Sequence, residues 1–253
     1  MKRRTFLAAG VVGCVTLAGC SGESTDGDDG GADGDDGGAD GGDGGDSGAA
    51  AATATPTEGP QTLDTHPVAQ NLAAQPVRGP SPSEATGVIV AFEDPSCPNC
   101  ASFETNVLPT LQEDLIEPGD VSMVYRNYPV IYNWGEPAVR ALEATYDRDT
   151  ATFWDLAGHY FEMQDEFRSA GVDQVYPRTE TFLADSTDLD AAAVVSEAES
   201  GAYDDAVQSD LEAGQTGGAG RTTPHFFLFR DGTYQTKIGG LVSASIIKSA
   251  LDL

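Results

Sequence analysis

The chain has 253 residues, of which 41 are acidic and 13 are lysine or arginine, so its formal net charge at pH 7 is −28. The acidic residues are spread along the chain, and residues 61–253 hold 30 of them against ten basic residues. So little positive charge excludes a basic groove, and nucleic acid is therefore excluded as a partner.

The first twenty residues are predicted to be an export signal. Lys2-Arg3-Arg4 precedes an apolar stretch, Phe6 to Leu17, that is too short to span a bilayer. Paired arginines in that position favour the twin-arginine export route. Leu17-Ala18-Gly19-Cys20 resembles a lipobox, in which Cys20 is lipidated and becomes the new N-terminus. Two lipid chains there would anchor the protein at the extracytoplasmic face of the cell membrane; the alternative is an ordinary signal peptide with an incidental cysteine.

Residues 21–60 are predicted to be a disordered tether. Gly, Asp and Ala make up almost all of residues 21–47, and no apolar side chain larger than alanine is present there. Such a segment cannot bury a core, and its aspartates repel one another and extend it. A calcium site is the alternative for this Asp/Gly run, but the spacing of the aspartates is irregular.

Residues 61–253 are predicted to form one folded domain that begins with a strand, a helix and a second strand. The apolar run Gly87–Phe92 is typical of a buried strand. Apolar residues at helical spacing predict an amphipathic helix over about 98–116, interrupted at Pro109. The second strand is predicted over Val121–Tyr125.

A helical block and then a hairpin are predicted for the rest of the domain. The helices are expected from Glu136 to about Tyr146, along the aromatic face Phe153–Phe167, over 179–184, and over about 188–212 with a break at Gly201. The hairpin strands are expected over Pro224–Arg230 and Tyr234–Ile238, joined by a turn at Asp231-Gly232. A closing helix, Ser243–Leu251, has Ser243 as its expected cap.

Two cysteines three positions apart, Cys97 and Cys100, lie where the first strand pattern ends and the first helix pattern begins. Cys14 falls within the export signal and Cys20 is assigned to the lipid, which leaves this pair as the free thiols of the mature chain. A disulfide framework would need more cysteines, and a structural zinc site needs four ligands. The three histidines show no ligand spacing, so neither a metal nor another cofactor is predicted. The pair therefore indicates a redox motif.

The position of the pair at a helix N-terminus predicts different roles for its two thiols. Pro98 suits the first helical position, where no backbone donor is needed. Cys97 then occupies the cap, exposed, with its sulfur facing the N–H groups near Asn99 and Cys100 and the positive end of the helix. Both effects favour the thiolate, so Cys97 is expected to be the nucleophile and Cys100 the more buried resolving thiol.

These features resemble the DsbA-like branch of the thioredoxin-fold superfamily. The resemblance covers nearly all of residues 66–253 and runs through Val88–Cys100, Val124–Pro129, Trp154 with the helical face around it, and Arg221–Phe227. It implies an α/β fold in which a central mixed sheet is flanked by helices. It also implies that a helical block, at about 134–216, is inserted between the first βαβ unit and the C-terminal hairpin.

The resemblance also implies a role for the pair Thr223-Pro224. Family members carry a cis proline that opens the third strand and packs against the active disulfide, which places Pro224 in that role. A trans proline at the start of a strand is the alternative. Thr223 would offer its backbone to an extended substrate peptide, which pairs with it as an added strand.

The activity implied by the resemblance is thiol-disulfide exchange on exported proteins that contain cysteine, with a membrane or soluble redox partner that resets the dithiol. An exported location favours oxidation of the substrate. Strongly oxidising members have Pro-His between the cysteines, whereas this chain has Pro98-Asn99, so a milder oxidant is expected. No separate dimerisation domain is visible, and a monomer is therefore expected.

The acidic composition resembles that of a protein from a halophilic archaeon. An acidic domain repels itself in dilute buffer, whereas at molar salt the Debye length falls to about 3 Å and the repulsion is screened. An acidic surface for a cationic partner is the alternative, but it would require clustered acids.

The chain departs from the family pattern at one buried position. Many relatives carry an acid six positions before the first cysteine, where this chain has Ala91. Glu93 or Asp94 could substitute for it, although solvated loop acids are the favoured interpretation of both. His225 could stand near the site, although a strand residue facing away from it is the favoured interpretation.

Two other functions would use the same residues. A lipid-anchored copper carrier would bind its metal through Cys97 and Cys100 as soft ligands, but no cluster of histidine or methionine accompanies them. A mainly structural or scaffold role conflicts with an intact cysteine pair beside Thr223-Pro224.

Overall fold

A five-stranded mixed sheet runs through residues 61–253, the part of the chain that the computed structural model describes. The predicted export signal, the lipid site at Cys20 and the Asp/Gly-rich tether lie outside the described residues. Within residues 61–253, no helix is both long enough and apolar enough to cross a bilayer.

The sheet has the strand order β1-β3-β2-β4-β5, with β2 and β3 parallel and the other neighbouring pairs antiparallel. The strands are β1 Val77–Arg78, β2 Gly87–Glu93, β3 Val121–Asn127, β4 His225–Arg230 and β5 Thr233–Gly239. A parallel pair needs a crossover connection, and the first helices supply it. The sequence pattern did not predict β1, because two half-buried residues show no alternation that could be detected.

Both faces of the central strand β2 are covered, and its sequence is accordingly apolar until its last residue. Ile89 and Ala91 pack on one face, whereas Val88, Val90 and Phe92 pack on the other. This alternation follows from the two-residue period of a strand. The sheet is therefore the middle layer, and the residues that follow β2 lie at the C-terminal end of its central strand.

The crossover between β2 and β3 begins with the helix α1, Pro98–Asn106, and continues through α2, Leu108–Leu111, and a π-helical turn, Gln112–Ile116. The predicted interruption near Pro109 is confirmed, and the break itself falls at Val107. Proline lacks the N–H that would bond to the carbonyl four residues earlier, so the first helix ends before its ring.

Between β3 and β4, six α-helices and one short 3-10 helix, Val172–Gln174, form the inserted block that the resemblance implies. The α-helices are α3 Gly135–Tyr146, α4 Thr150–Glu162, α5 Gln164–Ala170, α6 Val175–Ser186, α7 Ala191–Glu199 and α8 Asp204–Gly217. Gly201 separates α7 from α8 with a φ of +75°, so the predicted break at this residue is confirmed.

The last helix, α9 Ala244–Leu251, packs its buried residues Ile247 and Leu251 with those of α1 and α2. Ser243 occupies the cap position of α9 as predicted, but its hydroxyl bonds with Ser245 Oγ at 2.9 Å and not with the helix backbone. The helix and the position of Ser243 at its cap are therefore confirmed, although the hydroxyl does not bond to the helix backbone.

The inserted block and the sheet share an aromatic core that also surrounds the cysteine pair. Trp134 stacks on Phe167 with ring centroids 5.4 Å apart, and Tyr160 packs edge-on against Phe167. Cys97 and Cys100 belong to the same cluster of buried residues. The thiols consequently lie where the block meets the sheet, in an environment with little water.

Candidate dithiol site

Cys97 and Cys100 lie at the junction of β2 and α1, as predicted, and both are free thiols. Cys97 is the N-cap residue of α1, while Pro98 and Asn99 form its exposed first turn. Cys100 is fully buried, as expected, but the predicted exposure of Cys97 is wrong, since that residue is only 3% exposed. The loop before β4 covers it, and the Cys97 thiol donates to the Thr223 carbonyl at 3.3 Å.

The peptide bond between Thr223 and Pro224 is cis, which confirms the prediction made from the motif. The Thr223 hydroxyl is buried and, apart from its contact with the Cys97 sulfur, has no hydrogen-bond partner within residues 61–253. A thiolate at Cys97 has no proton to donate to the Thr223 carbonyl, whereas the hydroxyl of the same residue can donate to the sulfur. The loop thus offers an acceptor to the thiol and a donor to the thiolate.

The surroundings separate the acidities of the two thiols. The pKa of Cys97 is lowered to about 6, chiefly by a hydrogen bond from the Cys100 thiol and also by the Thr223 side chain and the N–H groups of Cys100 and Asn99. Burial opposes this shift but does not cancel it. The pKa of Cys100 is raised well above its usual value by burial, by its bond to Cys97 and by the charge of Glu93. At neutral pH, Cys97 is therefore a thiolate and Cys100 keeps its proton.

Asp94 joins the loop before the dithiol to the segment after β3. Its Oδ1 accepts from the N–H and the hydroxyl of Ser96 at 2.8 and 2.6 Å, and its Oδ2 accepts from the N–H groups of Val130 and Ile131, each at 2.8 Å. Gly135 comes so close that a Cβ there would lie 2.5 Å from Oδ1. The favoured interpretation of Asp94 as a solvated acid is wrong, because four donors replace water around a residue that is 0% exposed.

Glu93, the last residue of β2, is also 0% exposed, so its interpretation as a solvated loop acid is wrong as well. Neither of its carboxyl oxygens accepts a hydrogen bond from a backbone, amide or hydroxyl donor within residues 61–253, and the side chain shares a hydrogen bond with the Glu104 carboxyl instead. Burial and the charge of Glu104 raise the pKa of Glu93 well above its usual value. Residues two apart share a face of a strand, so Glu93 places an acid on the same face as Ala91.

Gln164, at the start of α5, holds the dithiol loop from the side of the inserted block. Its Nε2 donates to the carbonyl oxygens of Pro95 and Cys97 at 2.7 and 2.8 Å. Sequence reasoning missed this residue, because a glutamine at a helix start carries no signal of a contact about 67 positions away. The loop is thus held from two directions, by Asp94 and by Gln164.

His225 follows Pro224 in β4, and its ring stacks on Phe227 with centroids 5.1 Å apart. Burial and the charge of Lys237 lower the pKa of His225. The interpretation of His225 as a strand residue packed away from the dithiol is therefore supported. Among residues 61–253, no three side chains of the types that bind metals converge on one point.

This arrangement, a cysteine pair at a strand–helix junction facing a cis proline, defines a class of redox protein. The family model described as Thioredoxin matches residues 74–234, which is well over half of the chain. The chain therefore belongs to the thioredoxin family.

Curated relatives match the chain over shorter segments. Disulfide bond formation protein D of Bacillus subtilis is 32% identical over 94 residues, which are 37% of this chain and 41% of that protein. A probable disulfide bond formation protein D of Bacillus anthracis is 33% identical over 76 residues, which are 30% of this chain and 35% of that protein. The matched segment thus spans about two fifths or less of the length of these relatives.

Solved structures share the fold over most of its length. BdbD from Bacillus subtilis, in its oxidised form, has a TM-score of 0.60 at 22% identity, covering 72% of this chain and 92% of that one. A variant of alpha-DsbA1 from Wolbachia pipientis has a TM-score of 0.61 at 18% identity, covering 76% and 94%. At these identities the likeness establishes the fold, and it confirms the predicted thioredoxin architecture with a mixed sheet and an inserted helical block.

Proposed function

We propose that this chain is a protein thiol-disulfide oxidoreductase that works through Cys97 and Cys100. One observation carries the proposal: two thiols in one helical turn have pKa values moved in opposite directions, and the more acidic one faces the cis-proline loop. A low pKa makes Cys97 both a good nucleophile and a good leaving group. The names of the curated relatives, which refer to disulfide bond formation, support the same chemistry.

In the oxidising direction, a thiolate of the client protein attacks Cys97 Sγ of the oxidised pair. The bond between the client sulfur and Cys97 forms while the Cys97–Cys100 bond breaks, and Cys100 leaves with the electron pair. A second client thiolate then attacks the client sulfur of this mixed disulfide and releases Cys97 as a thiolate. Cys97 leaves readily because its thiolate is stabilised where it lies.

Cys100 needs a proton when it leaves, because its own pKa is raised well above the usual value. Of the two acids that could substitute for the missing one at Ala91, we assign this role to Glu93. Burial raises the pKa of Glu93 well above its usual value, which favours the protonated form, and its oxygens accept from none of the donors that hold Asp94, whereas both oxygens of Asp94 are occupied by donors. Asp94 is assigned to holding the loop.

The client chain would bind beside the dithiol through the backbone of Thr223. This residue directly precedes β4, so an extended peptide can pair with it in the manner of an added strand. Pro224 follows Thr223 in the loop that covers Cys97, and Pro98 and Asn99 are the exposed residues beside the buried sulfur that a client would meet first. Strongly oxidising family members have a histidine where this chain has Asn99, and without that imidazole the protein is a milder oxidant.

We infer that the protein acts as an oxidase of exported proteins, as a monomer, and that a separate redox partner reoxidises the pair. The export signal in residues 1–20 and the lipobox cysteine Cys20 support a place on the extracytoplasmic face of the membrane. The net charge of −28 supports a halophilic archaeal source. Fractionation of cells that make the full chain tests the anchor: replacing Cys20 by Ala is expected to move the protein from membranes to the soluble fraction.

The activity is tested by oxidation of a reduced dithiol peptide in molar salt. Oxidised wild-type protein is expected to form the peptide disulfide with loss of its own. Cys97→Ser is expected to reduce the rate to that of the uncatalysed reaction. Cys100→Ser, incubated instead with a peptide that carries a disulfide, is expected to attack it through Cys97 and to accumulate a mixed disulfide that mass spectrometry detects. An equal rate for wild type and Cys97→Ser would reject the proposal.

A further inference from the structure

Side chains hold the carbonyl oxygens of the loop that leads into β4. Lys237 Nζ donates to the carbonyls of Gly217 and Gly218 at 3.0 and 2.9 Å. The Tyr128 hydroxyl donates to the carbonyl of Gly220 at 2.7 Å. An ammonium and a phenol keep their protons during thiol-disulfide exchange near neutral pH, so these bonds hold the loop in every state of the dithiol.

The carbonyl of Thr223 differs from these, because its donor is one of the reacting groups. The Cys97 thiol donates to this oxygen at 3.3 Å. That proton is absent when Cys97 is a thiolate and again when Cys97 forms a disulfide. Thr223 is 3% exposed, and a buried carbonyl without a donor is unfavourable. The Thr223 carbonyl is therefore satisfied by Cys97 in one chemical state of the sulfur and needs another donor in the other two.

An extended client would supply that donor. Thr223 directly precedes β4, and a peptide that adds to a strand pairs through its backbone N–H groups. Such a client lies on the Cys97 side of the loop, since its own sulfur must reach Sγ. The Cys97 thiol and the client N–H therefore approach the same side of one carbonyl oxygen.

We propose that the Cys97 thiol and a client backbone N–H compete for the Thr223 carbonyl. This inference rests on the proposed function, in which the client pairs with Thr223. In the oxidised protein Cys97 has no S–H, so the carbonyl accepts from the reduced client. Once Cys97 has been released and protonated, its thiol takes the carbonyl again and displaces the oxidised client. The oxidised protein thus binds a client more tightly than the reduced, protonated protein does.

The cycle balances in electrons and protons. Two electrons pass from the client dithiol to the Cys97–Cys100 disulfide, and the client leaves with a disulfide of its own. The released Cys97 thiolate then takes one proton from solvent, and this proton makes the bond to the Thr223 carbonyl. The pKa of Cys97, which is lowered to about 6, sets the pH below which the thiol form prevails. Competition by the thiol therefore strengthens as pH falls through 6.

This pH dependence must be separated from that of neighbouring groups. The titratable or charged groups that face Cys97 and its loop are Cys100 on α1, Glu93 at the end of β2, Tyr128 after β3, Arg221 within the loop, His225 of β4 and Lys237 of β5. All of them remain in a Cys97→Ala variant. That variant therefore shows the pH dependence that does not come from Cys97.

The test is the affinity of the full protein for a short extended peptide with serine in place of cysteine, followed through the NMR signals of the peptide in molar salt. The oxidised protein is expected to bind as tightly as Cys97→Ala at every pH. The reduced protein is expected to bind about fivefold more weakly below pH 6, where the thiol holds the carbonyl, and to approach the oxidised protein above it.

Two variants isolate the donor at position 97. Cys97→Ser carries a hydroxyl that does not ionise, so it should hold the carbonyl and bind the peptide weakly at every pH. Cys97→Ala has no donor and should bind tightly throughout. N-methylation of the peptide residues that flank the serine removes the competing N–H groups and should abolish the difference between the two variants.

Equal affinities of Cys97→Ser and Cys97→Ala would overturn the competition, and so would a lack of binding to the oxidised protein. Neither result concerns exchange that depends on Cys97, because the oxidation of a reduced dithiol peptide measures it separately. Failure of the proposed function would appear in that assay, as a rate that survives Cys97→Ser.

Discussion

Two buried acids on opposite faces of the sheet differ in how their oxygens are satisfied. Asp210 of α8 accepts from Arg126 Nη1 at 2.6 Å, from Gln75 Nε2 at 2.9 Å and from the N–H of Asn127 at 2.9 Å. Glu93 has no such donor within residues 61–253. Both residues are 0% exposed, so the difference is not one of burial.

The difference teaches which buried charge supports the fold and which serves chemistry. A carboxylate held by three donors is an anchor, here between α8 and β3, and any change of its charge would disturb the packing. A buried carboxyl without such donors, whose pKa is strongly raised, is a candidate for chemistry and not for an anchor. Three predictions test this comparison, and they follow in order of decreasing effect.

The largest expected effect is the loss of stability in Asp210→Ala. The substitution leaves the Arg126 guanidinium buried without its counter-charge, and the side chains of both partners are 0% exposed. Breaking one partner of a buried ion pair typically costs about 3–5 kcal/mol of unfolding free energy. Denaturant titration in molar salt measures this loss, with the exposed Asp205→Ala on the same helix as control. A loss equal to that of the control would contradict the assignment of Asp210 as an anchor.

Glu93→Gln is expected to have a smaller effect than Asp210→Ala, and to change the reaction rate and not the free energy of unfolding. Because no donor is lost, unfolding free energy should stay within about 1 kcal/mol of wild type. The rate of disulfide opening by a reduced peptide should fall about 100-fold, as expected when a proton donor is removed. Denaturant titration and rapid-quench kinetics measure the two quantities. A variant that is strongly destabilised yet fully active would place Glu93 with Asp210 instead.

The smallest expected effect of these variants is on the ionisation of Cys97. The pKa of Cys97 is lowered to about 6, so the thiolate fraction of the reduced protein should rise as pH rises through 6 and be lost below it. The reduced form thereby gains stability that is fully present above the pKa of an unfolded cysteine and declines as pH falls through 6. Ultraviolet absorbance of the thiolate follows this titration, with Cys97→Ser as the blank.

Glu93→Gln should leave the Cys97 midpoint nearly unchanged, because the hydrogen bonds that lower the pKa of Cys97 come from Cys100, Thr223 and the N–H groups of the helix. Asp210→Asn should also leave it unchanged, because Asp210 lies on the other side of the sheet. A midpoint near that of an ordinary thiol in the wild type would remove the physical basis for Cys97 as the nucleophile.

Much of the fold was predictable from local patterns. The apolar run of β2, the interruption near Pro109 and the break at Gly201 each follow from the properties of neighbouring residues. The strand β1 was missed because it is formed by its pairing with β3 and not by its own two residues. Its absence from the prediction also concealed Arg78, which pairs with Glu104 of α1 at 3.0 Å.

Taken by itself, the amino-acid sequence determined the dithiol at a helix N-terminus and the order of most elements, because spacing and local propensity specify these features, while the proline facing the dithiol followed from the family resemblance. Tertiary structure alone decided which acids are buried, how they are satisfied and how far Cys97 is covered. Glu93 and Asp94 are adjacent in sequence, yet the Asp94 carboxylate accepts from four donors and Glu93 accepts from none of them. Two of the donors to Asp94 come from the segment after β3, which is distant in the chain. Desolvation and hydrogen bonding depend on groups that are distant in the chain, and a local pattern does not contain them.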